Sequence, residues 1–530
     1  MATGKALDGK PYAGNPHVRF DEGEVAPAAT PRRGSLLYKR LIAAVFAAVT
    51  VSAFAAWERV GSVQISDAKS QGAAAAKIGQ MVGNPFAAAA IGAAIADVPT
   101  VKFFGPAREG ASTLLTLFID GAVAKKNPDN ALDGVEYSVL YPISLSKADF
   151  LKRHEGAVET NGVIVVKGDF SGEDLDDETT YVVLSEDGKW AGASDKLAQA
   201  KLAIKDVKHA EKPMKGEVAR LRVAPNGVKA VVAALKSGKD VDPEAISQLE
   251  AVKSFSCGLK VSDLGVDLNA SASFVEGSEF AKCGRKPLEG NPLAFAGKDA
   301  IAATARAENS GRNVWAKDEK WNALVSLVKK HGIDLGKFLV REKKDAVLAY
   351  TFDIGELFKF ATEGAEEVVA KIDTDKFADE FQKLAKGEKF AAESPASFEM
   401  VRVKGFEPQW TAAERFAATI PDSASKKPFY VSFSSVSSIL KAAVPHMTAL
   451  VPEEQREGMK PVIDAFATEV KPGIAMIAWR PKDGDAMRFM LRVSADEIRT
   501  VGGICSSAMM FCNAGGGGCG SDDDDGDDED

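Results

Sequence analysis

The first residues that could carry out chemistry are a histidine and a group of serines. His446 lies in the apolar sequence AVPHMTALVP and follows the serine-rich stretch FSSVSSI, Phe433–Ile439. A histidine within hydrogen-bond reach of a serine hydroxyl can activate it as a nucleophile, so this region is the candidate for a hydrolase site. A histidine in apolar surroundings more often completes a core or lines a groove, and this alternative stays open.

Other catalytic signatures are missing from the sequence. No G-x-S-x-G elbow, H-E-x-x-H helix, P-loop or G-x-G-x-x-G turn occurs. His154 and His331 each follow basic residues and precede a glycine, as cations at helix ends do. Trp190 and Trp479 lie in or beside predicted hairpins, where they could form a ligand platform or pack on a sheet. We assign no catalytic residue and expect no cofactor.

Five cysteines suggest disulfide chemistry rather than a metal site. Cys257 and Cys283 lie at the two ends of a predicted strand pair and could form a bridge in an oxidising compartment. The other three follow at seven-residue spacing near the C-terminus, without a C-x-x-C pair or a nearby histidine. The sequence therefore predicts no zinc site.

The last nine residues, DDDDGDDED, concentrate the acidity of the chain. The formal net charge is −9, so without this tail the protein is close to neutral, and no basic face for nucleic acid is implied. Repelling charges without apolar residues cannot fold, which predicts a disordered tail that keeps the protein in solution. Weak cation binding by Asp522, Asp523, Asp524 and Asp525 is the alternative.

The elements that would position these residues alternate between strands and helices. VEYSVLYPI and STLLTLFID are rich in β-branched and aromatic residues, and TYVVLSEDGKWAGAS reads as a hairpin turning at Asp187-Gly188. In GVDLNASASF, five apolar residues alternate with polar ones, which predicts a half-buried antiparallel strand; they are Val266, Leu268, Ala270, Ala272 and Phe274.

The same order of elements occurs twice, about 210 residues apart. EVARLRVAPNGVKAVVAALKSG begins the first copy and PFYVSFSSVSSILKAAVPHM the second. We therefore predict an α+β fold of two duplicated halves, each an antiparallel twisted sheet with helices packed on one face. The predicted units are a disordered leader 1–40, a signal h-region 41–55, an Ala-rich helical segment 56–99, α+β domains 100–290 and 291–503, and a Cys/Gly-rich linker with the acidic tail 504–530.

The uncharged apolar segment Leu41–Trp57 follows Lys39 and Arg40. A basic flank, a short apolar core and the small residues Ala53 and Ala55 are typical of a secretory signal, with cleavage after Ala55. An uncleaved anchor and a short buried helix are the alternatives. The unusual length of the leader fits a misassigned start or, on the pair Arg32-Arg33, a twin-arginine signal.

Two passages, VLYPISLSKADFLKRHEG and VLSEDGKWAGASDKLAQAKLAI, resemble uncharacterised exported bacterial proteins known only as domains of unknown function. The resemblance covers Ser112 to Lys205 and implies no activity and no catalytic residues.

These observations predict an exported, non-catalytic protein of the periplasm or cell envelope that acts by binding or by structural presence. Its partner or ligand is not specified by the sequence. A carrier of an apolar ligand or lipid in a curved antiparallel sheet is the first alternative, and a hydrolase-type enzyme the second. Contact with a membrane is expected only through an uncleaved signal segment.

Overall fold

The structure is a computed structural model, and it describes residues 58–83, 99–119, 135–168, 179–211, 214, 216–236, 243–308, 318–363, 367–368, 370–385, 396–451, 453–482 and 485–503. The expectations for the leader, the signal segment and the acidic tail lie outside these residues. Within them the protein has both helices and strands, and the strands belong to one large mixed sheet. The α+β prediction is confirmed at this level.

The strands are β1 Glu58–Ile65, β2 Thr113–Ile119, β3 Val135–Pro142, β4 Val158–Thr160, β5 Val163–Lys167, β6 Thr179–Leu184, β7 Trp190–Ser194, β8 Glu217–Val223, β9 Val252–Ser262, β10 Gly265–Phe274, β11 Ala300–Arg306, β12 Leu339–Lys344, β13 Val347–Phe352, β14 Ser397–Val403, β15 Tyr430–Ser434, β16 Ile474–Trp479 and β17 Met487–Ser494.

The helices are α1 Ala68–Val82, α2 Pro99–Phe104, α3 Lys147–Arg153, α4 Leu197–Lys205, α5 Val207–Ala210, α6 Pro225–Leu235, α7 Pro243–Glu250, α8 Glu279–Lys282, α9 Asp318–Lys330, α10 Leu335–Phe338, α11 Ile354–Glu363, α12 Thr374–Ala385, α13 Ala412–Thr419, α14 Val436–Leu450 and α15 Glu453–Ala467. A 3₁₀ turn covers Ser423–Lys426, and residues 495–503 are helical.

The sheet is continuous from one half of the chain to the other. Its strands lie in the order β4–β5–β6–β7–β3–β2–β1–β8–β9–β10–β17–β16–β15–β11–β14–β13–β12. Every pairing between described strands is antiparallel except the parallel pair β13–β14. The central ladder joins β10 to β17 from Gly265↔Ser494 to Ala272↔Met487, so the predicted boundary at 290/291 does not separate two sheets.

The segment 56–99, expected to be helical throughout, begins with a strand. Glu58–Ile65 forms β1, which pairs with both β2 and β8 and therefore lies inside the sheet. Its sequence ERVGSVQI carries three β-branched residues, whereas the alanines begin only with α1. Helix α1 starts after the N-cap Asp67, whose carboxylate accepts from Ser70 N, and ends at the left-handed Gly83.

Helices cover both faces of the sheet, so the prediction of a single covered face is wrong. Leu114 packs in a cluster with Trp190 and α4 residue Ala203. The next residue, Leu115, packs with Phe104 and Phe150 from α2 and α3. Consecutive side chains of a strand point to opposite faces, so these helices lie on opposite sides. This two-sided cover explains why six consecutive residues of β2, from Leu114 to Ile119, are buried.

The second half has its own core under α13. Thr411 caps this helix in a complete capping box with Glu414. Phe416 of α13 then packs against Phe433 and Ile477 of the neighbouring strands. This arrangement fixes α13 against the sheet close to the central ladder.

Candidate functional site

The histidine and the serines expected to form a hydrolase pair are not brought together. Ser438 lies in the first turn of α14, and His446 lies eight residues further along the same helix. With a rise of 1.5 Å per residue, this places them about 12 Å apart along the axis. The ring of His446 stacks on Phe358 with the centroids 5.9 Å apart, which indicates a packing role.

The serines bond to buried carboxylates instead. Ser437 donates from its backbone nitrogen and from Oγ to the two oxygens of Glu497, both at 3.0 Å. Ser435 caps α14 and lies 2.8 Å from the Ser437 hydroxyl. Burial raises the pKa of Glu497, although the bonds from Ser437 and the nearby Arg415 oppose this effect.

A second buried carboxylate lies beside this group. Glu469 forms an ion pair with Arg415, and both side chains are fully buried. Lys441 Nζ lies 3.4 Å from the other oxygen of Glu469. We call Arg415, Lys441, Glu469 and Glu497 the buried charge cluster. The cluster links α13, α14 and the helical residues 495–503. Because both carboxylates are buried, they are not accessible to a ligand from solvent.

The two tryptophans have different roles. Trp190 is 1% exposed and packs with Leu114 and Leu140, and Arg108 lies 5.2 Å from its ring centroid. It is therefore a core residue and not a ligand platform. Trp479 is partly buried, and Lys426 Nζ lies 5.7 Å from its ring centroid.

The predicted bridge between Cys257 and Cys283 is not formed, since both are free thiols. Cys257 lies in the middle of β9, opposite Ala270, and not at the end of the strand pair. Cys283 ends α8 and packs beside Phe429, with its carbonyl accepting from Arg480 Nε at 2.8 Å. Burial raises the pKa of both thiols.

The acidic tail residues Asp522, Asp523, Asp524 and Asp525 lie outside the described part of the chain. Among the residues that the structure does describe, no group of three or more histidine, cysteine, aspartate or glutamate side chains could hold a metal ion.

A row of polar side chains crosses the centre of the sheet on one face, which we call the serine face. Residues directly opposite each other in a ladder share a face. The row runs from Ser62 through Arg222, Ser256 and Ser271 to Arg488 on five neighbouring strands. Trp479 continues it on β16, opposite Arg488.

A groove of about 480 Å³ lies on the serine face, over β1, β8, β9 and β10. We call it the serine groove. Its polar lining consists of two arginines, one histidine and five serines: Arg59, Arg222, His209, Ser62, Ser254, Ser256, Ser271 and Ser273. Its volume is within the range of small-molecule sites. Guanidinium and hydroxyl groups in one groove can bind the oxygens of a polar ligand.

The opposite face of the same strands is apolar, and we call it the leucine face. Leu268 lies directly between Leu259 on β9 and Leu491 on β17. Leu268 is 41% exposed and Leu259 is 37% exposed. β10 is an antiparallel strand as predicted, but the expected burial of its apolar side fails at Leu268, whereas Asp267 on the serine face is only 2% exposed. The ion pair of Asp267 with Arg492 explains why this charged residue is buried.

The residues of the serine groove were not identified from the sequence. Serines at every second position in SFSCG and NASASF gave the only signal, together with Arg222 at a polar position of β8. The sequence cannot show which strands are neighbours, and therefore cannot show that these side chains form one row.

Comparisons with known proteins identify no relative. No family model matches the chain, and neither a curated protein nor a solved structure matches it. None of the helices in the described part of the chain has the length and apolar character needed to cross a membrane.

Proposed function

We propose that this protein is exported and acts at the cell envelope by binding, without catalysis, and that the serine groove is its ligand site. The groove carries the proposal: it joins hydrogen-bonding side chains from β1, β8, β9 and β10 in one concave surface of ligand size. Except for His209 on α5, its polar side chains come from paired strands, which hold their backbone rigidly. Such a pre-organised surface favours binding, since little conformational entropy is lost when a ligand is held.

Export is supported by the segment Leu41–Trp57 with its basic flank and the small residues before Ala56. We propose cleavage after Ala55, so that the mature chain begins only two residues before β1. The strand would then be the N-terminal element of the mature protein.

The experiment is fractionation of the native cells, followed by N-terminal sequencing and native mass spectrometry of the protein from the envelope fraction. We expect a first residue Ala56 and an additional mass that dissociates from the folded chain. An intact Met1 in the cytosolic fraction would refute export. A chain that carries no additional mass in any envelope preparation would refute a ligand-binding role.

A carrier of an apolar ligand is the second candidate, and the exposed pair Leu259 and Leu268 on the leucine face supports it. Apolar side chains that remain exposed beside one another often mark an interaction site. The test is titration with a fluorescent fatty acid, with Leu268→Ser weakening binding. Leu357→Ser is the matched control, since Leu357 is 46% exposed on the distant helix α11. Equal binding by both variants would refute the carrier function.

We further propose that the two halves arose by duplication. The same order of elements, a strand, two helices and two strands, occurs both in β8–α6–α7–β9–β10 and in β15–α14–α15–β16–β17. In each copy the three strands are neighbours, and the first also pairs with an earlier strand, β1 or β11. Superposition of residues 217–274 on 430–494 in an experimental structure tests this, and a different direction of any paired strand would argue against it.

A further inference from the structure

We propose that the serine groove binds a phosphate-bearing ligand with a hydroxylated body. This inference rests on the proposed binding function and specifies the chemistry of the ligand. The argument combines the charge of the groove, its hydrogen-bond donors and its size.

The lining of the groove carries cationic side chains and no carboxylate. Arg59 and Arg222 both line it. Arg222 is exposed and forms no ion pair with any carboxylate among the described residues. Its guanidinium is therefore available to an anion, and planar guanidinium groups match phosphate oxygens in geometry as well as charge.

The second arginine is held at the rim. Arg59 Nη1 lies 2.9 Å from Asp206 Oδ2, and 43% of the Arg59 side chain is still exposed. His209, one turn further along from Asp206, lines the same side with Nδ1 3.7 Å from Asp206 Oδ1. Asp206 itself does not line the groove. It positions Arg59 while leaving further guanidinium donors for a ligand.

The floor supplies hydroxyl donors. Ser256 and Ser271 lie opposite each other on β9 and β10, next to Arg222 in the row. Two residues further along the same strands, Ser254 and Ser273 form the next pair on this face, and their hydroxyls are 2.5 Å apart. Serine hydroxyls donate to phosphate oxygens and also accept from the hydroxyls of a sugar or polyol, so the floor suits both parts of the proposed ligand.

The volume of the serine groove suits a ligand larger than a free phosphate ion. A groove of about 480 Å³ leaves most of its floor uncovered when only an inorganic phosphate is bound at Arg222. A phosphorylated sugar and a phosphorylated polyol headgroup of a lipid share the required chemistry. The experiment therefore separates these two sources.

The test is isothermal titration of the full chain with glucose 6-phosphate, glucose and inorganic phosphate, and co-sedimentation with vesicles of phosphatidylinositol in phosphatidylcholine. We expect saturable binding of glucose 6-phosphate or of the phosphatidylinositol vesicles, and weaker binding of phosphate or glucose alone. Arg222→Gln should weaken the binding by at least about tenfold, since it removes charge-assisted hydrogen bonds. The arm that gives binding identifies the source of the phosphate.

Arg499→Gln is the matched control, because Arg499 is an exposed arginine paired with Asp496 on the helical residues 495–503. It should bind like the unaltered protein. Arg222 is exposed on its strand, so its substitution should leave the circular dichroism spectrum unchanged. Absence of saturable binding in every arm, or equal affinity of Arg222→Gln and Arg499→Gln, overturns the inference. A native ligand mass retained by Arg222→Gln would leave the binding function standing while refuting the phosphate assignment.

Discussion

The ion pair between Arg492 and Asp267 crosses the junction of the two halves, and Arg492→Met tests how strongly it stabilises the fold. Arg492 donates from Nε to Asp267 Oδ1 at 2.5 Å and from Nη2 to Oδ2 at 2.7 Å. Its Nη1 also donates to the carbonyl of Thr419 at 3.2 Å, which connects the pair to α13. The two residues are directly opposite each other in the β10–β17 ladder.

The expected magnitude follows from burial. Asp267 is 2% exposed and Arg492 is 7% exposed, so removal of the guanidinium leaves a carboxylate without solvent or a counter-ion. Breaking one side of a buried pair costs about 3–5 kcal/mol in the free energy of unfolding. Methionine preserves much of the volume, so the loss reports the uncompensated charge and not a cavity.

The assay is urea unfolding followed by tryptophan fluorescence and by circular dichroism. The double variant Asp267→Leu/Arg492→Met removes both charges and should recover most of the lost stability, because apolar residues of similar volume often replace a buried pair at little cost. Arg499→Met serves as the control, since its exposed pair should contribute only about 0–1 kcal/mol.

Two results would refute the reasoning. A loss below about 1 kcal/mol for Arg492→Met would mean that the carboxylate is not buried as the structure shows. A double variant no more stable than the single variant would mean that the arginine acts through packing instead of charge. Separate unfolding transitions appearing in the single variant would show that the two halves had lost their coupling.

Three further outcomes follow from particular contacts. Gly227→Ala would place a Cβ onto the carbonyl oxygen of Val60 and should lower the free energy of unfolding by about 3 kcal/mol or more. Gly458 is an exposed helical position with open space around it, so Gly458→Ala should raise the free energy of unfolding by about 0.5–1 kcal/mol. Equal urea midpoints for the two variants would contradict this expectation. Burial lowers the pKa of His154 below its usual 6.5, so the folded state resists protonation and stability should fall as the pH decreases below that value. His154→Gln should remove this component of the melting-temperature change between pH 7.5 and pH 5, and an unchanged pH profile would show that His154 does not contribute.

The lowered pKa of His154 also corrects its expected role as a cation at a helix end. Its ring lies 4.4 Å from Phe103 and 4.6 Å from Phe150, measured between centroids. Nε2 is 2.9 Å from the carbonyl oxygen of Phe103, to which a neutral ring can donate. Phe103 of α2, which is distant in sequence, supplies the carbonyl and one of the two rings, so a local pattern at the end of α3 could not reveal this environment.

Local sequence determined much of the secondary structure. The capping box of Thr411 with Glu414, the N-cap at Ser146 and the apolar–polar alternation along β10 are short-range sequence patterns. The hairpin β6–β7 is also present, but its loop is longer than a two-residue turn. Gly188 alone has the positive φ there, so a type I′ turn, which also needs one at Asp187, is not formed.

The sequence by itself determined the position of most strands and helices, because hydrophobic period and caps act over a few residues, but it did not predict β1. Only the tertiary structure decided that β10 pairs with β17 and that β1 lies inside the sheet, since strand partners are chosen by contacts between distant segments. The same pairing places Arg222 beside Ser256 and buries Asp267 against Arg492. The side chain of a polar residue in a strand faces water, a groove or a counter-ion, and its neighbours across the sheet determine which.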